Sequence, residues 1–178
     1  VKSFSPDLIG FTAMTCEANS VLSLASEARS NCSAQIVVGG SHASNDPEFF
    51  NQPQLDWIVI GLGTRSLREL VDALADGREP MVPGVARVQP GNKLGWQSRR
   101  YNRDDLACSA PRYDLVEQYR PEYNLQSLGL KMGLVASAVG CPYDCNFCCI
   151  GPITDGRYLT ADIDAVVRDI TTLEQTPV

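Results

Sequence analysis

Three short apolar runs, each closed by glycine or a hydroxyl residue and separated by stretches of helical periodicity, constrain this chain most. The runs are residues 7–14 (DLIGFTAM), Ile36-Val37-Val38 stopped by Gly39-Gly40, and Trp57-Ile58-Val59-Ile60 ended by Gly61-Leu62-Gly63. Their nearly continuous apolar character suits strands buried on both faces. Between the first two, Glu17 to Ser30 carries Val21, Leu22, Leu24, Ala25 and Ala28 at helical spacing. After the third, Ser66 followed by Glu69 reads as a capping box, with Leu67, Leu70, Val71 and Leu74 as the buried face. This alternation predicts an α/β fold built on a doubly wound parallel sheet. In such sheets ligands bind at the carboxyl ends of the strands. Those ends are Thr12 to Thr15, Gly39 to His42, and Gly61 to Thr64.

The composition changes near Gly77. From there to about Gly129 the chain is polar and rich in proline, yet Trp96, Tyr101, Tyr113, Tyr119 and Tyr123 recur, which indicates an ordered connector. Leu134 to Val139 then reads as a new strand running into a cysteine-rich loop. Thr160 reads as the cap of a helix whose face is Ile163, Val166, Val167, Ile170 and Leu173, with Asp162 and Asp164 in its first turn. The expected organisation is therefore a first domain over 1–78, a connector over 79–130 and the start of a second domain over 131–178. The chain opens on Val1 and stops at Val178 directly after a helical pattern, so it reads as a fragment cut at both ends.

The net charge of -6 argues against broad nucleic-acid or anionic-membrane binding, both of which need a basic face. No apolar run approaches the ~20 residues of a membrane helix, and no signal peptide is visible. Seven cysteines, an odd number without a secretory leader, argue against a disulfide framework and for a reducing cytoplasm. Cys16, Cys32 and Cys108 stand alone and read as small buried hydrophobes. The others are packed together as Cys141, Cys145, Cys148 and Cys149.

Cys141, Cys145 and Cys148 form a C-x3-C-x2-C spacing directly after the strand. Three thiolates on one short loop can hold three corners of a cubane iron–sulfur cluster and leave the fourth iron open. A zinc site would need a fourth ligand, which Cys149 supplies poorly because adjacent residues seldom reach one metal. A redox thiol pair or plain structural cysteines are the remaining readings.

These cysteines, with aromatic Phe147 before the last, resemble the C-x3-C-x-aromatic-C signature of radical S-adenosylmethionine enzymes. The resemblance implies a [4Fe–4S] cluster on Cys141, Cys145 and Cys148 whose open iron chelates S-adenosylmethionine. It also implies cleavage of that molecule to a 5′-deoxyadenosyl radical, an electron donor such as flavodoxin or ferredoxin, and a partial (β/α) barrel beginning with this strand and helix. It puts Phe147 beside the adenine, where the residue-level alternative is a core anchor for the loop.

The N-terminal half resembles cobalamin-binding domains, in which an S-x-L-like turn, a Gly-Gly pair and a G-E-G-like loop cradle the nucleotide tail of the corrinoid. Thr12-Ala13-Met14, Gly39-Gly40 and Gly61-Leu62-Gly63 match those three segments, with Leu62 in place of the usual acid. The resemblance implies cobalamin contacts from Thr12, Met14, Thr15, Gly39, Gly40, Ser41, His42, Gly61, Gly63 and Thr64. Read from the residues alone, the glycines equally serve ordinary sheet turns, and His42 equally serves as a surface or backbone-satisfied histidine. Asp104-Asp105-Leu106 and residues 110–115 resemble the connector of these enzymes, their acids otherwise reading as solvated or capping groups.

Together the two resemblances imply a cobalamin-dependent radical S-adenosylmethionine enzyme acting on a small-molecule substrate. Methyl transfer to an unactivated centre through methylcobalamin is the leading expectation. An oxidative cyclase resembling the anaerobic magnesium-protoporphyrin monomethyl ester cyclase is the alternative. A cofactor-binding fragment without turnover, or a methylthiotransferase-type enzyme with a second cluster, are readings of other kinds.

Overall fold

The computed structural model describes residues 3–106, 115, 118–119 and 135–175. Cys108, Asp114, Leu134 and most of the 110–115 connector motif lie outside the described residues. The chain divides into two compact units, Val1–Tyr101 with Gly140–Arg157, and Asn102–Val139 with Tyr158–Val178.

The first unit is built on four strands: β1 (Leu8–Thr12), β2 (Gln35–Gly39), β3 (Trp57–Val59) and β4 (Val85–Arg87). They lie in sequence order across the sheet. β1 and β2 are parallel and in step from Leu8↔Gln35 to Thr12↔Gly39, and β2 and β3 are parallel with Val38 opposite Ile58. β4 departs from the all-parallel expectation. It returns antiparallel beside β3, with Val59 opposite Val85. The helix of Gly63–Ala75 lies between the two strands in sequence, and the segment after Gly77 brings the chain back beside β3 in the opposite direction.

The two faces of the sheet follow from the alternation of side chains along a strand. Ile36, Val38 and Ile58 point into one core, shared with Ala18, Val21, Ala25 and Ala28 of α1 (Ala18–Asn31). Val37, Trp57 and Val59 point into the other, shared with Leu70 of α3 (Gly63–Ala75). Ile36 to Val38 and Trp57 to Val59 are apolar throughout because each face is covered.

Most of each expected face is buried or packed on a core, Val21, Leu22, Ala25 and Ala28 in the first helix and Leu70 and Leu74 in the second, but Leu24, Leu67 and Val71 are not. In α1 the buried stripe has small residues at spacings of three, four and three, which lets the helix approach the sheet closely, and Leu24 is 53% exposed. In α3 the buried residues are Ser66, Leu70 and Ala73, whereas Leu67 and Val71 are exposed. Ser66 is therefore not a cap. It sits one turn inside a helix that begins at Gly63, fully buried, and its hydroxyl donates to the carbonyl of Pro83 at 3.0 Å. Cys16 is also exposed rather than buried, and Cys32 is half-buried with its Sγ 3.2 Å from the Ala28 carbonyl.

Two short helical segments follow β2, α2 (Ser41–Asn45) and a 3-10 turn at Pro47–Phe50, which seals one core with the fully buried Phe50. The later strand is shorter than expected. β5 covers Ala138–Gly140 and pairs with β6 (Tyr158–Thr160) in a separate two-stranded sheet. Thr160 ends that strand, and Asp162 does the capping, its Oδ1 accepting from the Asp164 N–H at 2.9 Å. α4 (Ile150–Thr154) follows the cysteine loop, and α5 covers Ile163–Gln175. No barrel closes among the described residues, and no helix there is long and apolar enough to cross a membrane.

Candidate functional site

The in-step register of β1 and β2 brings the ends of these strands level, and a run of hydrogen bonds ties their loops together. The Ala13 N–H donates to the Gly39 carbonyl at 2.9 Å, and the His42 N–H donates to the Ala13 carbonyl at 3.0 Å. Gly40 has φ +101°, open to glycine and strained for other residues. A Cβ there would stand 2.7 Å from Ala13 N and 2.8 Å from both Ala13 O and Thr12 Oγ1. The glycine is thus already required by the close passage of the loop after β1. Gly39 is different: an added Cβ would meet only Val59, at an ordinary 3.6 Å.

The run continues to β3 through Ser44, a residue the sequence did not single out. Its buried hydroxyl donates to the Gly40 carbonyl at 2.9 Å and accepts from the Gly61 N–H at 2.9 Å. One hydroxyl uses both capacities to join the second and third loops. The next N–H, of Leu62, donates to the Tyr101 hydroxyl at 2.9 Å. Nothing local in the sequence marks Ser44. Tyr101 was visible only as one of several aromatic residues in a proline-rich stretch.

Thr15 and His42 meet across the ends of β1 and β2, with Oγ1 3.2 Å from Nδ1. The imidazole also stands edge-on to Phe49 and Phe50, with centroids 5.0 and 5.5 Å away. His42 is therefore a half-buried, oriented ring at the strand ends. Thr12 and Met14 are exposed beside it, Ser41 opens α2, and Gly63 and an exposed Thr64 open α3.

The cysteine loop belongs to the same compact unit as these strand ends. Within it the Cys148 N–H donates to the Cys145 carbonyl at 3.0 Å, making a turn across the x2 spacing. Cys149 precedes α4, which packs on α2, and the Asn45 side-chain amide donates to the Cys149 carbonyl at 3.2 Å. All four thiols are free, and Cys145 and Cys148 are exposed. Among the described residues no three His, Cys, Asp or Glu side chains are gathered closely enough to hold a metal ion. The donor set and its accessibility fit an iron–sulfur cluster. Phe147 is 88% exposed, so it does not anchor a core.

Behind the third loop lies an ionic network. Arg99, itself buried, donates from Nε to Ser66 Oγ at 2.9 Å and to the Pro83 carbonyl at 3.1 Å, and its Nη atoms pair with Glu69. Arg65 also bonds Glu69, at 3.0 Å. Burial is the largest influence on Glu69 and raises its pKa. The hydrogen bonds and charges of Arg99 and Arg65 together outweigh it and hold the carboxyl below its ordinary value. Asp105, expected as a solvated or capping acid, accepts from the Asn102 N–H at 2.7 Å.

Residues 1–71 match the family model described as the B12 binding domain. An uncharacterized methyltransferase of Pyrococcus horikoshii is 29% identical over 177 residues, 97% of this chain and 38% of its own length. The anaerobic magnesium-protoporphyrin IX monomethyl ester cyclase of Rubrivivax gelatinosus is 28% identical over 157 residues, 83% of this chain and 28% of its own length. Among solved structures, the radical S-adenosylmethionine methyltransferase TsrM from Kitasatospora setae, with tryptophan substrate and an S-adenosylmethionine analogue bound, superposes with a TM-score of 0.71. It is 22% identical, over 95% of this chain and 35% of that one. The chain thus spans well under half the length of the relatives it matches. The comparisons bear out the resemblance to cobalamin-binding radical S-adenosylmethionine enzymes and the α/β fold read from the alternation of strands and helices.

Proposed function

We propose that this chain, with a B12 binding domain over its first 71 residues, is the cofactor-binding portion of a cobalamin-dependent radical S-adenosylmethionine methyltransferase. The observation that carries the reading is the coexistence, in one compact unit, of the welded strand ends at Ala13, Gly40 and Gly61 and the free-thiol loop at Cys141 to Cys148.

Cys141, Cys145 and Cys148 would ligate the cluster, and Phe147 would lie against the adenine of S-adenosylmethionine. Thr12, Met14, Thr15, Gly39 to His42, Gly61, Gly63 and Thr64 would line the corrinoid side. When bound, these groups supply a transferable methyl group and a one-electron route to a carbon radical. The chain's own contribution is to fix the loops. Gly40 and Ser44 hold the second loop against its neighbours, and the Thr15–His42 contact sets the ring beside the strand ends. The cluster needs an electron donor of the flavodoxin or ferredoxin class, and the enzyme works in the reducing cytoplasm on a small molecule. Oxidative cyclisation is the second reading, favoured by the 28% identity to the Rubrivivax cyclase.

The ligand assignment is tested by anaerobic reconstitution of the full chain with iron and sulfide. Cys145→Ala should lose the bound iron and the broad absorption near ~400 nm expected of thiolate-ligated iron, while Cys149→Ala should keep both. Iron retained in Cys145→Ala, or lost in Cys149→Ala, would overturn the three-cysteine assignment.

A further inference from the structure

The third strand-end loop is held from outside the first 71 residues. β3 passes into Gly61 at φ +85°, and an added Cβ at Gly61 would overlap the Tyr101 hydroxyl. Tyr101 is 4% exposed, and its oxygen receives the Leu62 N–H at 2.9 Å and lies 3.4 Å from the Ile60 carbonyl, to which it donates. The hydroxyl therefore fills the space of the missing side chain and satisfies two backbone groups of a turn that leaves the sheet. Buried backbone groups left without such partners are costly, so the bond holds the turn in one conformation.

Tyr101 is itself held in place. Two residues earlier, Arg99 is pinned to Ser66, Pro83 and Glu69. The Gly84 N–H donates to the Gln97 carbonyl at 2.7 Å, and the Ile60 N–H donates to the Gly84 carbonyl at 2.8 Å. Residues 97–101 thus form a strap bonded both to the end of β3 and to α3, with the phenol as its tip.

We propose that Tyr101 is a positioning residue of the corrinoid site, acting through the Gly61-Leu62-Gly63 turn on the nucleotide tail and not on the corrin ring. The proposal rests on the corrinoid reading of the strand ends given above. Tyr101 does not touch the ligand; it sets the turn that does. A merely structural residue would affect every corrinoid alike, whereas a residue acting on the tail pocket distinguishes ligands with and without the tail.

The test compares cobalamin with cobinamide, a corrinoid lacking the nucleotide tail, by equilibrium binding to the full chain. The wild type should bind both, and cobalamin more tightly. Tyr101→Phe keeps the ring and removes the hydroxyl. It should weaken cobalamin binding by about three- to tenfold, as expected for the lost Leu62 N–H bond, the long 3.4 Å contact to Ile60 adding little, and leave cobinamide binding unchanged. Leu62→Pro is the independent variant, because Leu62 sits at φ -69°, a value proline adopts, and the change deletes the N–H that Tyr101 receives. It should show the same tail-specific loss, and the double variant should lose no more than either single one. Unchanged cobalamin affinity in both variants, or equal weakening toward the two corrinoids, would overturn the role of Tyr101. Failure of the wild type to bind either corrinoid would instead overturn the functional reading beneath it.

Discussion

At the scale of single residues, the two adjacent glycines after β2 have different duties. Gly40 is fixed by its own fold, because its left-handed backbone and its closeness to Ala13 and Thr12 forbid a side chain whether or not a ligand is present. Substituting it would damage binding and stability together and separate nothing. Gly39 has ordinary room for a Cβ beside Val59. Gly39→Ala should leave the melting temperature of the free protein within a few degrees and weaken cobalamin binding, if the corrinoid approaches the backbone there. Calorimetric melting and a binding titration measure the two effects separately. Unaltered affinity would return Gly39 to the role of a plain strand terminator. The residues that could be read from the sequence were those with chemistry of their own: cysteines at cluster spacing, the lone histidine, glycine pairs. Ser44 and Tyr101 could not be read, because their roles consist of partners 17 and 39 residues away.

At the scale of elements, apolar continuity located β1, β2 and β3 and helical spacing located α1 and α3, since burial on two faces or on one leaves a direct trace in residue order. The faces of the helices were less legible. In α1 the buried stripe is made chiefly of small residues, Ala18, Val21, Ala25 and Ala28, packed against the β2 and β3 side chains, while Leu24 faces outward. The start of α3 was misread for a similar reason. Ser66 and Glu69 have the spacing of a capping box, but both are engaged by Arg99, 33 and 30 residues distant. β4 left no legible trace because a three-residue strand in a proline-rich segment has no period to detect.

The Arg99–Glu69 element also carries a pH dependence. The Glu69 carboxyl is held below its ordinary value when folded, so the unfolded chain binds its proton more readily. Its contribution to stability is complete above the unfolded carboxylate pKa, about 4.3. It is lost as the pH falls through the lower, folded value. Glu69→Gln should therefore lower stability near neutral pH and flatten the acid limb of the stability curve. Because Glu69 is about one-third exposed (34%), solvent screens part of the interaction and the effect should be modest. Urea unfolding at a series of pH values measures it, and an acid limb unchanged by the substitution would show that other groups govern the transition.

At the scale of the whole molecule, one compact unit brings two candidate cofactor sites together. The first unit includes both the three loops at the strand ends and the cysteine loop with α4. The hydrogen bond from Asn45 to the Cys149 carbonyl and the packing of α2 with α4 are where the two segments meet. Residue order alone could not show that meeting, since 104 residues separate Asn45 from Cys149 and neither segment has a pattern that names the other. The central claim is that this chain holds an iron–sulfur cluster and a corrinoid together. The most direct measurement is an anaerobic absorption spectrum of the full chain, with metal analysis, after supply of iron, sulfide and cobalamin and removal of the unbound portion. The account predicts a broad iron–sulfur shoulder together with corrin bands, and retained iron and cobalt in the same protein. A protein that keeps iron without cobalt, or neither, would contradict it.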